Sequence, residues 1–215
     1  PMYFYKPKIT FSLKKEDISS KNIYSCPQSL FKMHPSFDEA IKKILIKDKK
    51  AKIIFIKDRK EILSKMFFDR LKKKIPENLD RINFIDRLTP EEFIHHCGRA
   101  SVLLDPFWFG SGNTFHESML YGTPTVTMPT KYLKSRIVTG AYKQMQIEDA
   151  PIFNNVDDYV EKAVFYSKNI NQLEKVRKQL FDGVLKTPLF NTKEFSKNFC
   201  NAIDDMHKQV IKNYK

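Results

Sequence analysis

Short apolar runs alternate along the chain with longer stretches in which apolar side chains recur every three or four positions. The short runs suit strands covered on both faces, the longer ones suit helices that cover them, and their alternation predicts a parallel sheet with helices on its faces. Five strand–helix units follow one another. "NIYSC" (Asn22 to Cys26) leads to a helix from about Pro35 to Asp48, and "KIIFI" (Lys52 to Ile56) to one from about Lys60 to Lys74. "RINFI" (Arg81 to Ile85) leads to "TPEEFIHHCG", where Thr89 as cap, Pro90 at the first helical position and Glu92 three residues after the cap form a helix-start signature. "SVLLD" (Ser101 to Asp105) precedes a glycine-rich turn and a short helix; "TPTVTM" (Thr123 to Met128) precedes a helix from about Tyr132 to Gln144. After Pro151 the pattern is helical only. The expected architecture is therefore α/β: a Rossmann-like, doubly wound parallel sheet over residues 21–150, a C-terminal helical annex over 151–215 packed on the same domain, and an extension over 1–20.

Composition narrows the class. No segment approaches the roughly 18 consecutive apolar residues of a membrane span, and the start lacks the pattern of a secretory signal, so the expected location is the cytoplasm, with no membrane partner. Cys26, Cys97 and Cys200 are odd in number and never in a CxxC pair, which predicts reduced thiols rather than a disulfide framework or a zinc site. The net charge of +13 invites a nucleic-acid reading. Its distribution opposes that: lysines recur along most of the chain with acids interspersed, as solvated helix faces do, so no specific nucleic-acid partner is expected. Such a basic field still attracts small anions.

Three stretches at predicted strand exits carry candidate chemistry, because ligands of open parallel sheets sit beyond the carboxyl ends of the strands. After "VLLD", Gly110 and Gly112 permit a tight turn close to a ligand, and Asn113 and Thr114 open a helix whose free N–H groups suit a phosphate; the other reading is an ordinary turn with Asn113 as cap. Glu117, one turn on, is placed to accept from ribose hydroxyls. After the first strand, Lys32 is either a point cation for a departing diphosphate or one more surface lysine, while His34 reads as a helix-start hydrogen-bonder. After the third, backbone groups around Arg87 and Leu88 suit a base edge, and Phe93 is either a stacking ring or a core aromatic. The adjacent His95 and His96 lack a third partner at metal-ligand spacing and read as structural.

Together, "CPQSLFKMHPSFD", "LLDPFWFGSGNT", "GTPTVTMPTKYLKSR" and "PLFNTKEF" resemble, in order and spacing, the C-terminal catalytic half of the O-linked N-acetylglucosamine transferase family and its bacterial relatives. The resemblance runs from about Tyr24 to the chain end. It implies the donor-binding half of a two-Rossmann (GT-B) glycosyltransferase using a UDP-sugar. By position, Lys32 matches the lysine that contacts the donor diphosphate and is needed for activity, and Gln28 lies close to the neighbouring amide. The "GSGNT" turn, with Ser111, Gly112, Asn113 and Thr114, matches the diphosphate-binding helix start; Glu117 falls on the ribose position, and Leu88 and Phe93 on the uracil positions. Relatives often carry His-Thr-Thr at Gly112-Asn113-Thr114, Asp at Glu117 and His at Phe93. The implied reaction is inverting transfer of N-acetylglucosamine or a hexose to a protein or glycan acceptor, with no metal or other cofactor. The acceptor and general base would lie on a missing or separate N-terminal half. The competing expectation is a non-catalytic nucleotide-binding or partner-binding module derived from such a transferase.

Overall fold

In the computed structural model, residues 22–186 and 192–213 are described. The expected extension over 1–20 and the first half of "PLFNTKEF" lie outside them.

Five parallel strands form one sheet in the order β3-β2-β1-β4-β5: β1 (Ile23–Cys26), β2 (Lys52–Ile56), β3 (Ile82–Ile85), β4 (Val102–Leu104) and β5 (Thr125–Val126). Tyr24 of β1 pairs with Ile53 of β2 on one side and Val102 of β4 on the other. The helices are α1 (Phe37–Lys47), α2 (Glu61–Lys74), α3 (Pro90–Arg99), α4 (Asn113–Ser118), α5 (Ile137–Gln144), α6 (Val156–Lys168), α7 (Ile170–Lys186) and α8 (Thr192–Asn213). This is the doubly wound α/β architecture that the pattern predicts. Strand residues Tyr24, Ile53, Phe55, Val102 and Leu104 are buried, and helix stripes such as Phe37, Ile41, Ile44 and Leu45 close over them.

Local chemistry explains where the elements start. The capping box of α3 forms as read: the Thr89 hydroxyl accepts from the Glu92 amide at 3.3 Å, and the Glu92 carboxylate accepts from the Thr89 amide at 2.8 Å. Helix α1 starts at Phe37 rather than Pro35, because the Ser36 hydroxyl is taken by His34 Nδ1 (2.8 Å) and Trp108 Nε1 (3.0 Å) instead of capping. Helix α5 starts at Ile137 rather than near Tyr132. The Ser135 hydroxyl accepts from the Thr130 amide and donates to the Tyr132 carbonyl, holding a 3-10 turn over Leu133–Ser135 in front of it. Strand β5 keeps only Thr125–Val126 of the expected Thr123–Met128, pairing with β4 alone.

Two of the C-terminal helices dock on this body. Helix α6 lies along α1, with Lys43 Nζ 2.7 Å from Asp157 and Lys47 Nζ 3.1 Å from Glu161 at the rim, and Tyr159 and Val160 buried beneath. Helix α7 is tied by Arg177, which donates to the carbonyls of Gly98 (3.0 Å), Ala100 and Tyr121 (3.2 Å) and to the Thr123 hydroxyl (3.1 Å). Burial pushes that guanidinium down to about 10. The Arg177 backbone also packs against Gly122, where φ is +62° and a Cβ would stand 2.1 Å from the Arg177 carbonyl oxygen, so only glycine fits. Helix α8 departs from the expected annex: Phe199, Ile203, Met206 and Val210, spaced along one face, are about half exposed. Leu173, Val176 and Leu180 of α7 supply the buried contacts on this part of the fold.

Replacing Arg177 by Met keeps the stem but leaves buried carbonyls without donors. Arg177→Met is expected to lower unfolding free energy by about 2–4 kcal/mol in urea titration. A loss below about 0.5 kcal/mol would show that water replaces these bonds.

Candidate functional site

In the strand order, β1 and β4 are neighbours whose following connections run to opposite sides, and the crevice outside their carboxyl ends is where an open sheet accepts ligands. The chain after β1 brings Gln28 and Lys32 there; the chain after β4 brings the glycine turn and α4. They meet in one hydrogen-bonded set. Lys32 Nζ donates to Gln28 Oε1 (2.8 Å) and to the Gly110 carbonyl (3.0 Å), and Gln28 Nε2 donates to Thr114 Oγ1 (2.7 Å). The Lys32 ammonium also sits 4.5 Å over the Phe109 ring. Lys32 is half-buried, and desolvation lowers its pKa, an effect opposed by the negative charge of Asp105.

Beside this set a cavity of about 220 Å³ is lined by Gln28, Ser29, Leu88, Phe93 and Thr114, with Lys57, Asp58 and Arg87 at its wall. Phe93 packs against the small core of Cys97, Ala100 and Leu103, as its core reading expects, and it also lines this cavity. A larger groove of about 850 Å³ runs along the β3 edge between Lys57, Phe68, Phe84 and Arg87. The smaller cavity is the better candidate, because it gathers residues from the exits of β1, β2 and β3 and from α4 and adjoins Lys32 through Gln28, whereas the edge groove draws on the exits of β2 and β3 alone.

The glycine turn differs in detail from the reading. Helix α4 has six residues, so its dipole is short, and Gly112 rather than Asn113 is the cap residue, with no side-chain cap bond. The cation beside this turn is Lys32, with Lys57 and Arg87 farther along the cavity wall. The Ser111 amide is already used, donating to Asp105 Oδ1 at 2.6 Å. Gly112 has open space where a Cβ would be, and Asn113 is exposed, so both face room that a ligand can enter. Gly110 is the glycine under steric demand: a Cβ there would meet the Asp105 carboxylate oxygens at 2.7 and 2.9 Å. Glu117 does not line the cavity. It is half-buried near Cys97, and burial raises its pKa.

The three histidines singled out in the sequence have partners within the fold. His34 bonds Ser36, His95 Nδ1 lies 2.8 Å from the Tyr121 hydroxyl, and His96 Nε2 lies 2.8 Å from Ser25 Oγ. Sequence reasoning missed Asp105 and Thr127, whose signal was an acid closing an apolar strand, and the Trp108–Ser36 bond, for which the sequence carried no signal.

Comparison with known proteins now decides the family. The pattern of glycosyl transferase family 41 matches residues 10–199. The chain belongs to that family. It is 24% identical over 204 residues to a probable UDP-N-acetylglucosamine–peptide N-acetylglucosaminyltransferase, SEC, of Arabidopsis thaliana, covering 90% of this chain and 21% of the relative. It is 26% identical over 90 residues to a UDP-glucose:protein N-beta-glucosyltransferase of Actinobacillus pleuropneumoniae, covering 42% of this chain and 14% of that one. Among solved structures, a mutant of the Thermobaculum terrenum O-GlcNAc transferase superposes with a TM-score of 0.79 at 15% identity, over 91% of this chain and 38% of that one. The Anabaena HepE protein, in complex with UDP and glucose, superposes with a TM-score of 0.61 at 11% identity, over 90% and 53%. The family 41 chain thus spans about a fifth of the plant relative and well under half of the bacterial transferase. Its sheet is the fold of GT-B glycosyltransferases. No helix among the described residues is long and apolar enough to cross a membrane.

One pH effect follows from the buried imidazole. Burial, helped by Arg99, pushes His96 down to about 4, whereas an unfolded histidine titrates near 6.5. The unfolded chain therefore binds more protons between these values, and stability falls as pH drops from about 6.5 to about 4, levelling off below. In His96→Gln this fall is expected to be shallower than in the wild type, by on the order of 3 kcal/mol across that window in urea titrations. Comparing the two chains cancels the carboxylates; equal slopes would contradict the assignment.

Proposed function

We propose that this family 41 chain is the donor-binding part of a UDP-sugar-dependent transferase. The observation that carries the reading is the convergence of Lys32, Gln28, Gly110 and Thr114 beside the cavity walled by Leu88 and Phe93, at the strand reversal. An amphipathic cleft next to a half-buried ammonium suits a ligand with a flat base at one end and a diphosphate at the other. The uracil would lie between the backbone around Leu88 and the Phe93 ring, and the diphosphate at Lys32, Thr114 and the open side of Gly112 and Asn113. To engage phosphate, Lys32 exchanges one of its present acceptors, the Gln28 side chain or the Gly110 carbonyl, for a charged oxygen, a stronger contact.

In the proposed reaction an acceptor hydroxyl or amide forms a bond to the anomeric carbon of the sugar from the side opposite the nucleotide. The bond from that carbon to the diphosphate breaks and its electron pair stays on the phosphate oxygen. Lys32 is the group that meets this charge, and because it grows during bond cleavage the interaction strengthens in the transition state. A protein acceptor and the base that takes its proton belong, on this reading, to further polypeptide, consistent with the share of the relatives that this chain spans.

Calorimetric titration with UDP and GDP tests the reading. Selective binding of UDP is expected, weakened by about 1.5–3 kcal/mol in Lys32→Ala. Equal affinity for both nucleotides, or unchanged affinity in the variant, contradicts it.

A further inference from the structure

Between β4 and α4 the chain has no regular secondary structure, yet it must deliver the Gly110 carbonyl to Lys32. One buried side chain governs its course. Asp105 is 1% exposed; its Oδ1 accepts from the Ser111 amide at 2.6 Å and its Oδ2 from the Thr127 hydroxyl at 2.7 Å. The carboxylate thereby joins the residue entering the turn, the residue leaving it and the chain beyond β5. Gly110 is folded directly against it: a Cβ there would stand 2.7 and 2.9 Å from the carboxylate oxygens and force the carboxylate to shift. Below, the Tyr159 hydroxyl donates to the Asp105 carbonyl at 3.2 Å, and Phe107 is held edge-to-face against Phe37 and Tyr159.

A buried carboxylate is an expensive way to hold a turn, but its two oxygens accept from an amide and a hydroxyl at once, whereas an Asn offers one acceptor and must turn a donor toward the other partner. The charge has a second use: Asp105 attracts Lys32, offsetting the desolvation of that ammonium. We propose that Asp105 is a positioning residue of the anion site, shaping Pro106–Gly112 around its carboxylate so that Gly110 meets Lys32 and the lysine is presented as a cation. It acts through Gly110 and Lys32 and touches no ligand. The inference rests on the reading of Lys32 as the diphosphate contact. Burial pushes the Asp105 carboxyl up to about 6, and its bonds to Thr127 and Ser111 and the field of Lys32 oppose that rise.

The test uses the whole chain in four forms: wild type, Asp105→Asn, Lys32→Met and the double variant. UDP affinity is read by calorimetry and amide exchange at Gly110 and Ser111 by NMR. Asp105→Asn keeps the shape and gives up the charge; it is expected to weaken UDP binding tenfold or more and to speed exchange at both amides. The double variant is expected to bind within twofold of Lys32→Met alone, because the two residues act through one contact. Wild-type affinity in a folded Asp105→Asn chain, or losses that simply multiply in the double variant, overturns the proposal. Should Asp105→Asn not fold, Gly110→Ala takes its place: it drives a Cβ into the carboxylate and is expected to cost the same affinity, and unchanged binding refutes the role. If the wild type binds no UDP, the donor reading falls by itself. Exchange at the two amides then decides the positioning claim, which fails if Asp105→Asn leaves it unchanged.

Discussion

The pairing of β1 with β4 is the constraint on which the site depends. Tyr24 with Val102 and Ser25 with Leu103 place side by side two strands whose exits are 78 residues apart in sequence, as judged from Lys32 and Gly110. Because the chain winds to β2 and β3 on one side and to β5 on the other, no connection crosses above this pair and a crevice stays open. Lys32 reaches across it. Shifting β4 by one residue would turn Leu104 and Asp105 to opposite faces and take the glycine turn away from Lys32.

Electrostatics at this crevice is local. The overall positive charge is spread along solvated helix faces, whereas the cation that matters is half-buried, held by Gln28 and Gly110 and set against the Phe109 ring. With α4 only six residues long, a helix dipole supplies little, and on the proposed reading the diphosphate end relies on Lys32 and on the acid beneath the turn, with Lys57 and Arg87 at the far wall of the cavity. A half-buried lysine with a lowered pKa gains most from an arriving polyanion, since ligand charge replaces the hydration it has lost.

Much of this was legible in the sequence. Apolar runs and a capping box marked the strands, α3 and the strand exits, and ordered blocks of sequence pointed to Lys32, Gln28, Thr114, Leu88 and Phe93, which the fold brings to one crevice. What stayed hidden depends on pairing between distant residues. Helix α1 reads as starting at Pro35 until Trp108 and His34 claim the Ser36 hydroxyl, Ser111 reads as part of the diphosphate turn although Asp105 holds its amide, and Glu117, read at the ribose position, lies half-buried near Cys97. Periodicity also assigns α8 a buried face. Its apolar stripe shows that amphipathicity specifies that a face seeks a partner, not which surface provides it.

The central claim is that the crevice between β1 and β4 holds a uridine diphosphate with its base at Leu88 and Phe93 and its phosphates at Lys32. A crystal structure of the chain grown with UDP tests it most directly. The account predicts the uracil in the cavity lined by Leu88, Phe93 and Gln28, and the diphosphate within hydrogen-bond reach of Lys32 Nζ and Thr114. UDP seated in the larger groove along β3, or a crevice filled only by water at saturating UDP, would contradict it.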